Sequence, residues 1–287
     1  MELDENQPIE FSVDNGVTIR GDAWGNPSDP PVIFLHGGGQ TRHAWGSTAK
    51  EVARKGWYAV AIDLRGHGDS DWDPKGDYSV DHFKQDLITI SGTFSRQPAI
   101  VGASLGGMMG LVSQGETDEQ FISLLILVDV TPRLEATGVE RIVAFMLANP
   151  DGFNSIDEAA DTISQYLPHR SRRADTTGLQ KNLKKDPDGR YRWHWDPRFI
   201  KKITENQDVT GGDRLANAAK NLTIPTLLIR GKISDIVSQE CADEFRDLVP
   251  HADHVDVSGA GHMVAGDSND IFTEAVANFL EAHHPKS

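Results

Sequence analysis

The feature that most restricts how this chain can fold is a series of short apolar runs, rich in β-branched residues, separated by helix-like segments. They are VIFL (Val32–Leu35), YAVAI (Tyr58–Ile62), AIVG (Ala99–Gly102), LLILVD (Leu124–Asp129) and TLLIR (Thr226–Arg230). Strand-like VTIRGDAW (Val17–Trp24) precedes them, and the more polar DHVDV (Asp253–Val257) closes the series. Segments 41–54, 80–94, 105–114 and 239–248 have helical composition and spacing. A run such as LLILV leaves no polar face for water, which fits a strand covered on both sides. Strand and helix in alternation predict an α/β fold, a mainly parallel, doubly wound sheet with helices on both faces.

The rhythm breaks between about Thr131 and Asp213. GVERIVAFMLANP is an amphipathic helix candidate closed by Pro150. SIDEAADTISQYLP is a second, with Ser155 as N-cap and Glu158 three residues on. The expectation is a helical cap, residues 132–213, inserted into a core made of residues 1–131 and 214–287. The basic HRSRR (His169–Arg173) reads as a solvated face.

A formal net charge of −15 over 287 residues argues against a nucleic-acid binder, which needs a concentrated basic surface. The longest plain apolar run, Leu124–Val128, is far too short to span a bilayer, and the acidic MELDENQPIE is no secretory signal. A cytoplasmic protein acting on a small molecule, without nucleic-acid or membrane partners, is expected; a homo-oligomer is compatible with the sequence but has no signature in it. The single cysteine, Cys241, permits no intramolecular disulfide and reads as a small buried residue.

One apolar run ends in a serine boxed by glycines: PAIVGASLGGMMG, Pro98–Gly110. GASLG fits G-x-S-x-G with a strand before it and a helix after it. In that context the glycines relieve a strained turn that lifts Ser104 above the sheet edge, and the helix start offers free N–H groups to an oxyanion. A serine N-cap between chance glycines would look the same, so the motif needs partners. His262, in VSGAGHMV, and Asp235, in GKISDIV, each follow a strand, at the edge where open parallel sheets place their sites. The order Ser104, Asp235, His262 matches the hydrolase arrangement built on this kind of turn. FLHGGGQTRHAW supplies a further glycine-rich loop after a strand. It lacks the Gly-Lys-Ser/Thr ending of a phosphate loop, and neither glycine cluster has dinucleotide-binding spacing.

LHGGG, DLRGHGDS, GASLGG, GKISDIV and GAGHMV together resemble the α/β-hydrolase fold superfamily, closest to its capped serine esterase, lactonase and non-haem haloperoxidase-like members. The resemblance implies Ser104 as nucleophile, His262 as base and Asp235 as the acid, with Asp129 an alternative acid ranked well behind. It implies oxyanion donors at the Gly38 and Leu105 amides, no cofactor, and a structural role for Arg65–Gly68. Serine at the nucleophile position argues against the epoxide hydrolases and haloalkane dehalogenases of this fold, which use aspartate. The expected activity is hydrolysis of a small or medium ester or lactone through an acyl-enzyme. A cofactor-free perhydrolase or haloperoxidase, a carbon–carbon bond hydrolase and a small-ligand receptor are the alternatives. His36, Trp193, His194 and Trp195 are pocket-lining candidates, the three cap residues weighted towards anchoring. HADH (His251–His254) has a metal-like spacing but no third ligand, so no metal is expected.

Overall fold

The computed structural model describes residues 5–166, 177–205, 212–262 and 269–283. Among the described residues one eight-stranded sheet has the order β1-β2-β4-β3-β5-β6-β9-β10. Its members are β1 (Gln7–Ser12), β2 (Thr18–Trp24), β3 (Pro31–Leu35), β4 (Tyr58–Ile62), β5 (Ala99–Ala103), β6 (Leu124–Val128), β9 (Thr226–Gly231) and β10 (Asp253–Val257). Strand β2 runs antiparallel to both β1 and β4, and every pairing from β4 through β10 is parallel. The mainly parallel, doubly wound arrangement expected from the apolar runs is therefore present.

Strand side chains alternate between faces, and both faces are dry. On one side Ile33, Leu35, Ile100, Leu125, Leu127 and Leu228 pack beneath α2 (Val80–Ser91), α3 (Leu105–Gly115), α7 (Gly212–Lys220) and α8 (Gln239–Leu248). On the other, Val32, Phe34, Val101, Ile126 and Ile229 meet α1 (Gly46–Arg54) and α9 (Asn269–His283). Each such side chain contributes about 1.5–3 kcal/mol by leaving water, which is why the centres of these strands are apolar. Helix α3 is buried along its whole length and holds the centre of the sheet's first face. Cys241 is buried in α8, as expected.

Two differences from the sequence reading have physical causes. β1 escapes a hydrophobicity criterion because QPIEFS buries only Phe11 fully; it is an edge strand recruited by β2. The insertion after β6 is not wholly helical: α4 (Ala136–Leu147), α5 (Ile156–Tyr166) and α6 (Pro197–Glu205) are joined by a ribbon of β7 (Leu183–Lys185) and β8 (Tyr191–Trp193). A turn carrying Gly189 at φ +84° connects the two strands, three residues each, too short for a periodicity to register. HRSRR lies outside the described residues. The segment between β6 and β9 reaches the carboxyl ends of the central strands, where Met146 and Trp195 lie against Gly39. Among the described residues no helix is long and apolar enough to cross a membrane.

Candidate active site

Ser104 follows β5 directly and adopts φ 46°, ψ −115°, a backbone conformation that a residue with a side chain holds only under constraint. The constraint comes from its neighbours. A Cβ on Gly102 would lie 2.5 Å from the Gly107 nitrogen, and one on Gly106 would lie 2.5 Å from Leu35 Cβ and 2.6 Å from the Leu35 oxygen. Strand β5, helix α3 and the end of β3 thus approach too closely for any side chain, and the turn pushes Ser104 out to a partly exposed position. Its amide is tied to the adjacent strand, donating to the Val128 oxygen at 3.1 Å.

The next residue along that adjacent strand is Asp129, also at positive φ (50°) and completely buried. Its carboxylate gathers three donors: the Gly231 N–H at 3.0 Å on Oδ1, and the Ser234 hydroxyl at 2.6 Å and the His262 Nδ1–H at 2.7 Å on Oδ2. The loop carrying His262 presses on the end of β9, where a Cβ on Gly231 would meet the Gly261 oxygen at 2.3 Å. With Nδ1 donating to Asp129, the His262 Nε2 is left as acceptor. Among the described residues neither that nitrogen nor the Ser104 hydroxyl has a hydrogen-bond partner.

Asp235, ranked first as the acid from its place in the chain, is not at His262. It is exposed and forms an ion pair with Arg141 of α4. The cause is local. Gly231–Ser234 forms a tight turn, with the Ser234 N–H donating to the Gly231 oxygen at 2.9 Å. The Ser234 hydroxyl faces inward to Asp129 while accepting the Ile236 and Val237 amides at 3.1 Å each. That leaves the following residue, Asp235, on the outside. The acid that meets the imidazole is Asp129.

The glycine loop after β3 lies beside the nucleophile: a Cβ on Gly37 would sit 3.3 Å from Ser104 Cβ. The Gly37 oxygen accepts the Gln40 N–H at 3.1 Å and the His36 Nδ1–H at 2.8 Å. Since C=O and N–H of one trans peptide point oppositely, these bonds turn the Gly38 N–H away from them. Among the described residues neither the Gly38 N–H nor the Leu105 N–H, at the start of α3, has a partner. His36 itself is not on a pocket wall. It is fully buried behind the loop, its Nε2 accepting the Leu64 N–H at 3.0 Å, and burial lowers its pKa to about 4.

Trp193 and Trp195 stack with ring centres 5.0 Å apart, and Trp193 also meets Phe145 and Phe153. His194, between them, is 1% exposed; its Nδ1 accepts the Gly68 N–H at 2.7 Å, and it borders a polar cavity with Arg42, Asp69, Lys181 and Lys184 that neither Ser104 nor His262 lines. The Arg65–Gly68 loop is braced by a buried bidentate pair, Arg65 to Asp86 at 2.6 and 2.5 Å, with Asp73 at 3.1 Å. Of the metal-like pair, His251 Nε2 bonds the Ile224 oxygen and His254 faces Asp256; among the described residues no group of three or more His, Cys, Asp or Glu is arranged to hold a metal.

Comparison with known proteins agrees with this fold. A family model described as the alpha/beta hydrolase fold matches residues 30–268. Esterase Rv0045c of Mycobacterium tuberculosis is 29% identical over 265 residues, covering 90% of this chain and 85% of its own. The 3-hydroxybutyrate-oligomer hydrolase of Cupriavidus necator is 28% identical over 253 residues, covering 83% of this chain and 85% of its own. The crystal structure of E-2-(acetamidomethylene)succinate hydrolase superposes with a TM-score of 0.83 at 23% identity, over 96% of this chain and 100% of that one.

Proposed function

Because the chain belongs to the α/β-hydrolase family, we propose that it is a serine-dependent carboxylic ester hydrolase using Ser104, His262 and Asp129. The observation that carries this is the 2.7 Å bond between His262 Nδ1 and the buried Asp129 carboxylate, one strand away from the strained Ser104. Asp129 holds the imidazole in the tautomer whose Nε2 accepts a proton, and stabilises the imidazolium that follows. Ser104 Oγ attacks the ester carbonyl carbon as His262 Nε2 takes its proton. The carbonyl oxygen becomes an oxyanion facing the Gly38 and Leu105 amides, at the positive end of α3. The tetrahedral adduct collapses, and the leaving alkoxide takes the proton from His262. Water, deprotonated by the same Nε2, then attacks the acyl-enzyme and releases a carboxylic acid and free Ser104.

Residues 132–213 act as a cap in this reading. Met146 and Trp195 beside Gly39, and Phe199 within 3.8 Å of a Cβ position on Gly38, give the acyl side an apolar wall. That wall favours uncharged acyl chains of modest length.

The test is a fluorophosphonate probe followed by peptide mapping, with p-nitrophenyl esters of increasing chain length assayed in parallel. One adduct on Ser104, absent in Ser104→Ala and strongly slowed in His262→Ala, together with ester turnover, is expected. A folded protein that neither labels nor turns over any ester would overturn the proposal.

A further inference from the structure

The residue after Gly38 is held more tightly than a loop glycine needs to be. Gly39 has φ +74°, and a Cβ there would lie 3.0 Å from Met146 Cε and 3.4 Å from Trp195 Cζ3. Its N–H donates to His67 Nε2 at 3.2 Å, and the His67 Nδ1–H donates in turn to the Arg65 oxygen at 3.1 Å. Its carbonyl faces His194 Nε2 at 3.4 Å, while His194 Nδ1 accepts the Gly68 N–H at 2.7 Å. The bond at Nδ1 fixes the proton on Nε2, so the weaker contact to Gly39 is a donated one. Both polar groups of Gly39 are thereby taken by imidazoles, whose ring centres are 5.9 Å apart.

The two imidazoles come from different parts of the molecule. His67 belongs to the core loop after β4. His194 belongs to the segment joining β8 to α6, inside the insertion. That segment is docked on the core by its neighbours: the Asp196 N–H donates to the Gly66 oxygen at 2.8 Å, and the Tyr78 hydroxyl donates to Asp196 at 2.6 Å. Gly38 sits between two peptide groups. The one before it is set by bonds to the Gly37 oxygen, and the one after it contains the Gly39 N–H held by His67. The two dihedrals of Gly38 relate these two planes, so the plane bearing the Gly38 N–H keeps its place in the loop only with Gly39 held where it is.

We propose that His194 is a positioning residue through which the docked insertion holds the oxyanion loop, so that the Gly38 N–H is aimed at the reacting carbonyl only while residues 191–196 are seated. This rests on the serine-hydrolase reading, and it makes the insertion a part of transition-state stabilisation as well as a wall of the pocket. The arrangement requires neutral rings. A proton on His194 Nδ1 would confront the Gly68 N–H, and one on His67 Nε2 would confront the Gly39 N–H. Burial keeps both imidazoles neutral, lowering His67 to about 3 and His194 well below its ordinary value.

The experiment compares wild type, His194→Leu and His194→Gln on p-nitrophenyl butyrate, with an aryl trifluoromethyl ketone as a tetrahedral-adduct probe. A small displacement of a preorganised donor costs roughly ten- to a hundredfold in rate. His194→Leu should therefore lose that much in kcat and a comparable factor in ketone affinity, with KM within about threefold of wild type. His194→Gln, whose amide accepts and donates across a similar span, should recover most of both. A leucine variant that melts like wild type and keeps kcat and ketone affinity, or changes only KM, overturns the proposal. Long-range 1H–15N spectra of wild type decide independently of any variant's folding. They should show neutral His194 protonated on Nε2 and neutral His67 protonated on Nδ1, and any other tautomer overturns the clamp. Failure of wild type to label at Ser104 would count against the serine-hydrolase reading alone, since the tautomers are read without turnover.

Discussion

Exchanging the two candidate acids separates the geometry from the chain order. Asp129 is fully buried and accepts three hydrogen bonds, from Gly231, Ser234 and His262. An asparagine there has one acceptor oxygen. With that oxygen kept on Gly231, the amide NH2 faces Ser234 and His262 and can no longer accept from Nδ1–H. The ring then takes the opposite tautomer, with Nε2 protonated and unable to receive the Ser104 proton. A wrong tautomer of this kind costs about 10⁴ in kcat, about 5 kcal/mol of barrier. Asp235 is 45% exposed in its side chain, and its ion pair with Arg141 is a surface pair worth about 0–1 kcal/mol. Asp235→Asn should accordingly stay within about fivefold of wild type. The assay is initial-rate hydrolysis of a p-nitrophenyl ester with active sites counted by fluorophosphonate, alongside thermal melts to establish that both variants fold. A 10⁴ loss in Asp235→Asn with a near-normal Asp129→Asn would refute the assignment.

Acid should destabilise the fold before the carboxylates titrate. His36 and His67 are fully buried, with pKa values lowered to about 4 and about 3 from an unfolded value of 6.5. The unfolded chain then binds more protons between those limits, so stability is complete above about pH 6.5 and falls as pH is lowered towards 4. At pH 4 each imidazole accounts for a loss of about 3 kcal/mol, and urea midpoints that do not move between pH 6.5 and pH 4 would refute this. Ser234→Ala removes one donor from Asp129 and strips the Ile236 and Val237 amides of their acceptor; kcat should fall about tenfold, with about 1–3 kcal/mol lost in chemical denaturation. Gly106→Ala forces a Cβ against Leu35 backbone and side chain, so denaturation should report a loss of about 1–3 kcal/mol, with slower fluorophosphonate labelling of Ser104.

The fold was legible where burial leaves no choice. Leu124–Val128 is apolar at every position, and Leu227–Ile229 likewise, because helices cover both faces, and such runs announce themselves. Gln7–Ser12 did not, since this edge strand turns only Ile9 and Phe11 inward and takes its hydrogen bonds from a neighbour that was already there. The β7–β8 ribbon was invisible for a related reason: three residues per strand carry no period, and what stabilises them is the turn at Gly189 and the bridge from Phe153 to Tyr191.

At the site, Ser104 was readable because its strain is written into the sequence: glycines at 102 and 106 stand where Gly107 and Leu35 leave no room for a Cβ. The acid was not readable in the same way. Asp129 and Asp235 both follow strands at the same edge, and a linear motif cannot say which side chain turns inward. One residue decides it. In GKISDIV the inward position of the turn is taken by Ser234, whose hydroxyl binds Asp129 on one side and two backbone amides on the other. That leaves Asp235 facing outward, where it pairs with Arg141 of the insertion instead. The same limit hid the histidines behind the glycine loop. His36 and His194 were chemically plausible pocket residues, yet each spends both ring nitrogens on backbone. A sequence displays which groups could react, and only the hydrogen bonds already made by each group show which of them remain free to do so.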